Sequence, residues 1–525
     1  MRNKLLLFAL LLLVSVSVSA QNALSALLPM PNKVENVKGK PFKVVEGKTS
    51  IVMTEEALRF EAEQLAEIVR RRMGVTLPVT SIMNKKSIVL AIDSTMGAEE
   101  HYQLTVHSKG IRLVGATAAA VFRGVMTCDQ LLLGDAFATA CKEIRSLRID
   151  DAPRFGYRAL MLDPARHFLP LKDIKFYIDQ MARYKYNVLQ LHLTDDQGWR
   201  LEIKSQPRLA SEQHYSQTEI RDLIAYAARR HIMVVPEIDV PGHTVAILFA
   251  FPELSCRHLQ GNPAKVGETT NRMVCGANPK TYEVLHDVIR EVCTLFDAPY
   301  FHLGGDEAAV PANWAKCPDC RALMAQYGYT KPTQLMQPFF DKILDFVREG
   351  GKHPVLWCEL NNIYPPATDY LFPYPKDVTL VTWRNRLTPT CLDLTYKNGN
   401  SLLMAPGEYA YFDYPQWKGD LPEFGNWGMP ITSLQQSYGF DPGYGRSAAE
   451  QQHILGVMGT LWGEAIGDIN RATYMTYPRG LALAEAGWTQ MDHRSWEGFK
   501  QRLYPNLMNL MQLGVSVRVP FEIAR

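Results

Sequence analysis

Short apolar runs alternate with amphipathic stretches along most of the chain after residue 157. Eight of these runs have the length and composition of buried strands: YRALMLD (157–163), NVLQLHLT (187–194), IMVVPEID (232–239), YFHLGGD (300–306), PVLWCEL (354–360), VTLVTW (378–383), SLLMAP (401–406) and ILGVMGTLW (454–462). Helical periodicity lies between many of them, as in KDIKFYIDQMARYKY and TYEVLHDVIREVCTLF. Eight strands alternating with helices predict an α/β fold, a closed (β/α)8 TIM barrel. A doubly wound open sheet is the alternative, but no Gly-x-Gly-x-x-Gly follows the first strand.

The chain before the barrel has a different pattern. Residues 55–74 show helical spacing that ends at Gly74, KSIVLAID is typical of a buried strand, and YQLTVHSKGIRLVGA predicts a hairpin around Lys109-Gly110. We therefore predict a small α/β support domain over 21–150, the barrel over 151–490, and a closing helix with a short extension over 491–525.

The first twenty residues have the pattern of a secretory signal peptide. Arg2 and Lys4 precede the apolar run LLLFALLLLV, and SVSA offers small residues before Gln21. A membrane anchor is the alternative, but the run is short for a span. We expect cleavage after Ala20 and an exported protein, periplasmic or secreted. No later segment is apolar enough to predict a membrane span.

Composition adds little to this picture. The 525 residues are 47% hydrophobic and 21% charged, with a net charge of +2. This is ordinary for a globular protein, and no strong overall charge indicates nucleic acid as a partner.

The nine cysteines all lie after residue 20, in a chain that we expect to be exported. Cys317 and Cys320 in KCPDC are near enough in sequence for a disulfide to form a small loop. Cys256 and Cys275 flank a stretch typical of a loop closed by a disulfide. We predict the disulfides Cys256–Cys275 and Cys317–Cys320. The Cys-x-x-Cys could instead hold zinc or act in redox chemistry, but no second such pair has zinc-finger spacing.

The carboxyl ends of the eight predicted strands carry chemically active side chains, and this is where TIM barrels place their sites. In chain order they are Asp163, Arg166 and His167; His192, Asp195, Asp196 and Trp199; Glu237, Asp239 and His243; His302, Asp306 and Glu307; Trp357 and Glu359; Trp383 and Arg384; Tyr409, Tyr411 and Asp413; Trp462 and Glu464. A single polar residue at a strand end usually caps the strand or anchors a loop. That role does not explain why all eight strand ends carry carboxylates, histidine, arginine or tryptophan. Tryptophan faces stack on the C–H faces of sugar rings, while carboxylates and arginine bind hydroxyls, so the mixture favours a carbohydrate site.

The stretch HLGGDE places two carboxylates, Asp306 and Glu307, side by side after Gly304 and Gly305. Glycine lets the backbone turn, so the two side chains need not point to opposite faces of the strand. We expect both in one pocket, where ionised Asp306 keeps Glu307 protonated as a general acid must be. Carboxylate pairs cleave glycosidic bonds, but adjacent ones are less suited to flank one bond from two sides.

Six motifs occur in order along the chain: LDPARHF, YKYNVLQLHLTDDQGWR, PEIDVPGH, HLGGDE, LWGE and PRGLALAEAGW. On these motifs the sequence resembles the family-20 glycoside hydrolases, the β-N-acetylhexosaminidases, over nearly the whole mature chain. The resemblance implies exo-acting hydrolysis that removes terminal, non-reducing β-linked GlcNAc or GalNAc from glycans. It also implies that the substrate's 2-acetamido oxygen attacks the anomeric carbon, giving an oxazolinium intermediate and net retention.

The same resemblance implies a role for each site residue. Asp306 would orient and stabilise the acetamido N–H, Glu307 would protonate the leaving oxygen and then activate water, and Tyr411 would hold the acetamido carbonyl. Sugar hydroxyls would be bound by Arg166, Asp413 and Glu464, an aromatic box would be formed by Trp357, Trp383 and Trp462, and the acid pair would be tuned by Asp195 and His243. This division of labour accounts for the adjacency of Asp306 and Glu307.

Three alternatives remain at this point. The same fold could release a disaccharide or a sulfated hexosamine, or the barrel could be a catalytically silent carbohydrate-binding protein, although every catalytic position is filled. A metal hydrolase built on His302, Asp306 and Glu307 lacks a ligand set with recognisable metal spacing. We expect a glycan substrate, no cofactor, no metal and no nucleic acid; the oligomeric state is left open.

Overall fold

The computed structural model describes residues 26–133, 143–262, 264–267, 272–359, 372–420 and 429–522. The chain divides into two compact units: Met1–Arg154 with Ala182–Lys185 and Gly480–Arg525, and Phe155–Met181 with Tyr186–Arg479. The predicted signal peptide lies outside the described residues, and the predicted domain limits at 150 and 490 stay predictions. Among the described helices, none has the length and apolar character that crossing a bilayer requires.

The first unit contains a seven-stranded sheet. Its strands lie in the spatial order Lys33–Asn36, Leu147–Asp151, Tyr102–His107, Gly110–Gly115, Ser87–Ile92, Ser50–Met53 and Val79–Thr80. The predicted hairpin forms, with His107 opposite Gly110. Helices Arg59–Met73, Ala118–Leu131 and Trp496–Gln512 belong to the same unit, and the first of them ends on Gly74 in the left-handed conformation that glycine favours.

The second unit is a closed parallel barrel of eight strands, which confirms the predicted (β/α)8 fold. Strands 1 to 8 are Tyr157–Leu162, Val188–His192, Met233–Glu237, Tyr300–His302, His353–Trp357, Thr379–Thr382, Leu402–Met404 and Ile454–Gly459. Strand 1 pairs with strand 8 in the register Tyr157↔Gly456, so the open sheet is excluded. A Cβ on Gly456 would lie 1.7 Å from the Tyr157 carbonyl oxygen, and closure at this point therefore requires glycine.

Helices follow the barrel strands, and some of them begin at a residue whose side chain caps the first turn. The helices are Leu171–Arg183, Gln217–Ala228, Val245–Ala250, Pro279–Leu295, Pro318–Gln326, Met336–Glu349, Thr388–Asn398, Gly407–Ala410, Leu434–Tyr438, Ala448–Gln451, Ile469–Thr476 and Arg479–Trp488. Ser216 and Glu219 form a capping box, and Asn278 caps the helix that opens with Pro279. The barrel interior is filled by inward-facing side chains such as Met161, Val235 and Met458.

Neither predicted disulfide is formed in the structure, since all eight described cysteines are unpaired. The Sγ atom of Cys275 lies 3.5 Å from that of Cys320 and 3.9 Å from that of Cys317, well beyond a disulfide bond of about 2.05 Å. The prediction paired near neighbours in sequence. The fold instead gathers Cys256, Cys275, Cys317 and Cys320 into one cluster.

Candidate active site

The strand register sets three ionisable side chains side by side at the carboxyl ends of strands 2, 3 and 4. His192 pairs with Glu237, and Glu237 pairs with His302. The Glu237 carboxylate lies 3.0 Å from His192 Nδ1 and accepts hydrogen bonds from the Trp357 indole N–H and the Gln190 amide, each at 2.8 Å. These contacts lock the floor of the site.

Charge on this floor is balanced. Burial alone would raise the pKa of Glu237, but the neighbouring His302 and His192 imidazoles lower it to about 2. Burial lowers the pKa of His302 to about 4, whereas the pKa of His192 is raised well above its usual value because the Glu237 and Asp163 charges outweigh the effect of burial. One imidazolium, His192, therefore compensates Glu237 at neutral pH.

The backbone after strand 4 takes the turn that the two glycines predict. Gly304, Gly305 and Glu307 have φ values of 65°, 96° and 46°. A Cβ on Gly304 would lie 1.8 Å from Asp239 Oδ1, and the Gly305 N–H donates to that same oxygen at 3.1 Å. Close packing against a buried carboxylate thus excludes any side chain at residue 304.

This turn brings the two adjacent carboxylates to one imidazole. His243 Nε2 lies 3.7 Å from Asp306 Oδ2 and 3.7 Å from Glu307 Oε2. Asp306 is buried, at 6% exposure, whereas the Glu307 side chain is 52% exposed. The pair is therefore divided between an interior carboxylate and one that solvent can reach.

His243 is held from its other side by Asp195. The His243 Nδ1 atom lies 3.3 Å from Asp195 Oδ1, and Asp195 also accepts from His192 at 2.9 Å. Burial disfavours the imidazolium form of His243, but the nearby charges of Asp195, Asp239 and Asp306 raise its pKa well above the usual value. A cationic His243 would offset the negative charge of the acid pair, and the supporting role of His243 and Asp195 stays a prediction.

Arg166 lies between carboxylates and an indole. Its guanidinium contacts Asp163 at 2.9 Å and Asp195 at 2.7 Å, and its Cζ lies 5.0 Å from the centre of the Trp462 ring. Its Nε is buried without a hydrogen-bond partner in the described chain, and the Glu464 carboxylate is 3.7 Å away. The side chain is thus fixed in orientation with one donor to spare.

The predicted aromatic residues meet around the same mouth. The Trp462 ring centre lies 5.6 Å from that of Trp357 and 6.3 Å from that of Tyr411. Trp357 is only 1% exposed, so it forms the floor, while Trp462 and Trp383 are partly exposed and pack on the barrel core. The Arg384 guanidinium covers the Trp383 ring at 3.9 Å.

Asp306 and Tyr411 each present a buried polar atom at the mouth that lacks a partner among the described residues. Asp306 Oδ1 accepts no hydrogen bond, and the Tyr411 hydroxyl, close to the Trp462 indole, forms no well-aligned one. Asp413 accepts a long 3.4 Å bond from the Trp462 backbone N–H, and burial, with the Glu464 charge, raises its pKa to about 8. Buried polar groups left open in this way are sites for ligand atoms.

Glu359, Arg384 and Asp239 stand at predicted strand ends, but the sequence assigns them no role. Arg384 Nη2 lies 2.8 Å from Glu359 Oε1 and 3.9 Å from Glu307 Oε1. Burial raises the pKa of Glu359 to about 7 despite this arginine. Burial, reinforced by the Asp306 charge, raises the pKa of Asp239 well above its usual range. Their place at the carboxyl ends of the strands is the signal that the sequence offers for them.

Three groups in this mouth have carboxylate and imidazole atoms close enough to share an ion. They are His192 with Glu237 and Asp239, Asp195 with Asp196 and His243, and Asp239 with His243 and Asp306. Their histidines already face carboxylates, so the clusters have an internal account as ion-paired networks. The absence of a catalytic metal stays a prediction.

A closed parallel barrel with paired carboxylates, an arginine and tryptophans at one mouth defines a glycoside hydrolase. The model for the catalytic domain of glycosyl hydrolase family 20 matches residues 155–491, and the model for domain 2 of that family matches 24–152. The chain belongs to glycosyl hydrolase family 20, and it is an enzyme of the β-hexosaminidase class.

Individual relatives agree with this assignment. A β-hexosaminidase of Akkermansia muciniphila is 37% identical over 420 residues, covering 77% of this chain and 82% of the relative. A Streptomyces plicatus N-acetyl-β-hexosaminidase, solved with Thio-NAglucal, superposes with a TM-score of 0.80 at 30% identity, over 96% of this chain and 98% of that one. A Vibrio harveyi exo β-N-acetylglucosaminidase, solved with N-acetylglucosamine, gives a TM-score of 0.81 at 30% identity, over 96% and 79% of the two chains.

Proposed function

We propose that this enzyme removes single, terminal, non-reducing β-linked N-acetylhexosamine residues from glycans, with retention of configuration and with the substrate's acetamido group as the nucleophile. One observation carries the proposal. Asp306 Oδ1 is a buried open acceptor and the Tyr411 hydroxyl a buried open donor at the same mouth. An acetamido group offers the complementary N–H donor and carbonyl acceptor.

The chemistry then divides among three residues. Asp306 accepts the acetamido N–H and stabilises the positive charge that develops as the acetamido oxygen attacks the anomeric carbon. The Tyr411 hydroxyl donates to that oxygen and directs it toward the carbon. Glu307, which solvent reaches, protonates the departing glycosidic oxygen and afterwards takes a proton from the water that opens the oxazolinium ring.

The other contacts hold the sugar. Arg166 offers its open Nε donor, and Asp413 and Glu464 offer carboxylate oxygens to hydroxyls. Trp462 and Trp383 present partly exposed faces to the ring and the acetamido methyl, above the buried Trp357. Exo action is supported by the V. harveyi relative, which is named an exo-enzyme and was solved in complex with N-acetylglucosamine.

Aryl β-glycosides that differ only at C2 and C4 test the proposal. We expect turnover of the two 2-acetamido sugars and loss of activity by orders of magnitude when a hydroxyl replaces the acetamido group. Proton NMR of the first product should show the β anomer. Comparable turnover of aryl β-glucoside, or an α-anomeric first product, contradicts the mechanism.

Reducing-end-labelled oligosaccharides test the exo action. Shortening of the labelled chain by one residue at a time supports it. Release of disaccharides, or faster cleavage of a sulfated hexosamine, would instead support the alternatives within the same fold.

Export is part of the proposal and rests on the Arg2 and Lys4 charges before the apolar run. Expression in a bacterial host with Edman sequencing of the released protein should give Gln21 as the first residue. Recovery of the uncleaved chain from the cytosol contradicts it.

A further inference from the structure

Outside the active site, the barrel unit contains a cluster of four cysteines, Cys256, Cys275, Cys317 and Cys320. Each is at most 2% exposed, and all four sulfur atoms lie within 4.8 Å of one another. No step of the proposed catalysis uses them. Four mutually close, buried sulfur atoms need an explanation, because a lone buried thiol is usually inert packing whereas four converging ones form a ligand set.

Two segments of the chain build this four-cysteine cluster, and each supplies two sulfurs. Cys256 follows the short turn Pro252–Leu254, and Cys275 donates its N–H to the Leu254 carbonyl at 2.8 Å, which folds the two ends of that loop together. Cys317 and Cys320 lie at the start of helix Pro318–Gln326, three residues apart, so they face the same side. The arrangement is set by backbone contacts.

The sulfur separations decide what the cluster is suited to hold. A disulfide needs about 2.05 Å between sulfurs. A tetrahedral Zn²⁺ ion with Zn–S bonds of about 2.3 Å sets neighbouring sulfurs about 3.8 Å apart. Cys275 Sγ lies 3.5 Å from Cys320 Sγ and 3.9 Å from Cys317 Sγ, on either side of that value.

We propose that the four-cysteine cluster is a structural tetrathiolate site for one zinc ion. Binding replaces four S–H protons by four Zn–S bonds and releases the protons to solvent. All four ligands come from the protein and the sulfurs are buried, so no position is left for substrate or water, as in closed structural sites. Burial also argues against a redox Cys-x-x-Cys, whose attacking sulfur must be accessible.

The surroundings suit thiolates. Cys317 and Cys320 lie at the positive end of the helix dipole of Pro318–Gln326. The Ala277 backbone N–H donates to the Cys275 sulfur. The helix dipole and this N–H donor stabilise the net negative charge that remains when four thiolates bind a divalent ion.

The proposed zinc site would join the loop after strand 3 to the loop after strand 4. The first loop carries His243 and the second carries Asp306 and Glu307. The same two loops are joined by the Trp314 indole, which donates to the Val274 carbonyl at 2.9 Å. We therefore assign the ion a structural role. From a position outside the active site, it fixes the loop that carries Asp306 and Glu307.

Metal analysis of the full-length mature enzyme, purified without a metal-affinity tag, tests the proposal. We expect inductively coupled plasma mass spectrometry to find about one zinc ion per chain. A mercurial reagent should titrate the four ligand thiolates and release the zinc as it binds them. Cobalt in place of zinc should give the intense visible bands of a tetrahedral thiolate site. Cys275→Ser should lower the zinc content at least about tenfold and lower Tm.

Cys293→Ser is the matched control, because Cys293 is also buried in this unit but lies outside the cluster. It should keep the zinc. If Cys275→Ser does not fold, the metal content and cobalt spectrum of the unaltered enzyme still decide. Zinc absent from the unaltered protein, disulfides among these cysteines in peptide mapping, or zinc retained in Cys275→Ser would each overturn the proposal.

Discussion

Asp129, in the unit that contains the N-terminal sheet, and Glu359, at the mouth of the barrel, are both buried carboxylates, at 1% and 4% exposure. Their pKa values move in opposite directions. Burial would raise the pKa of Asp129, but its arginine neighbours lower it to about 2. Burial raises the pKa of Glu359 to about 7 because its single arginine does not compensate.

The number of cations explains the difference. Asp129 contacts Arg72 at 2.7 Å and Arg71 at 3.2 Å, and it also pairs with Arg183. Among the described residues, the Glu359 carboxylate pairs with one cation, Arg384, and that arginine also faces Glu307. The first carboxylate has its charge fully met by the protein, and the second shares one cation in a mouth rich in acids.

Buried charge thus serves two purposes in one chain. Where the protein supplies every partner, the carboxylate contributes to stability and has nothing left to offer a ligand. Where partners are too few, pKa values rise and polar atoms stay open, and the substrate can supply the missing contacts. The comparison predicts that substitutions at the mouth change rate and that substitutions at Asp129 change stability.

Glu307→Gln should give the largest effect. The amide cannot donate a proton to the departing oxygen, so turnover of substrates with poor leaving groups should fall by about 10²–10⁴. Activated aryl glycosides, which need little protonation, should lose much less. Steady-state kcat/KM on both substrate types measures this, with exposed Glu349→Gln as control. Equal losses on the two substrates would remove Glu307 from the acid role.

Asp306→Asn should lower turnover by about 10²–10³, because the amide lacks the charge that offsets the developing oxazolinium. A thiazoline analogue of GlcNAc should inhibit the parent enzyme strongly and the variant much less. The variant should keep a Tm close to that of the parent, although its turnover is much lower. A 2-deoxy-2-fluoro glycoside that forms an ester on Asp306, seen by peptide mass spectrometry, would make this residue a covalent nucleophile and refute the mechanism.

Much of the fold and part of the site follow from sequence periodicity. The eight apolar runs predicted the barrel because parallel strands, buried on both faces, give continuous apolar segments. The glycines before Asp306 predicted a turn that brings two adjacent carboxylates to one imidazole, and His243 lies 3.7 Å from both. Strand ends converge in a barrel, so predicted site residues far apart in sequence lie at one mouth.

Other features depend on contacts that no local pattern encodes. The Glu359–Arg384 pair joins strands 5 and 6, and neither residue has a periodic signal. Spacing suggested two disulfides between sequence neighbours, whereas the four-cysteine cluster draws on two loops that only the closed barrel brings together. Trp357 marks a strand end but is buried, because its indole N–H is directed at Glu237.

Asp129→Asn tests the stability half of the comparison. Removing the charge leaves three arginines facing a neutral amide, which should lower the free energy of unfolding by about 3 kcal/mol while kcat/KM stays near the parent value. Chemical denaturation measures the difference. Asp150→Asn is the control, because Asp150 is half-exposed on a strand of the same unit and should cost no more than about 1 kcal/mol.

The pH dependence sharpens this prediction. Because the folded pKa of Asp129 is depressed to about 2, its contribution is present above about pH 4 and is lost as the pH falls toward 2. The stability gap between the parent and Asp129→Asn should therefore narrow between pH 4 and pH 2. A gap that is constant over this range would mean that the arginines do not hold the carboxylate ionised.

Glu359→Gln should also change stability, but with the opposite sign. The folded pKa of Glu359 is raised to about 7, so the folded state holds a proton that the unfolded chain releases near pH 4.5. Glu359 therefore costs the parent stability progressively as the pH rises from about 4.5 to 7. Glutamine keeps an acceptor for Arg384 but does not ionise, so the variant should gain up to about 3 kcal/mol relative to the parent across that range and no more above it. Denaturation at pH 5 and pH 8, with exposed Glu349→Gln as control, measures the change. The difference in the free energy of unfolding between parent and variant could instead stay constant with pH, or the variant could lose stability as the pH rises. Either result would show that Arg384 compensates Glu359 as fully as the three arginines compensate Asp129. The contrast between the two regions would then not hold.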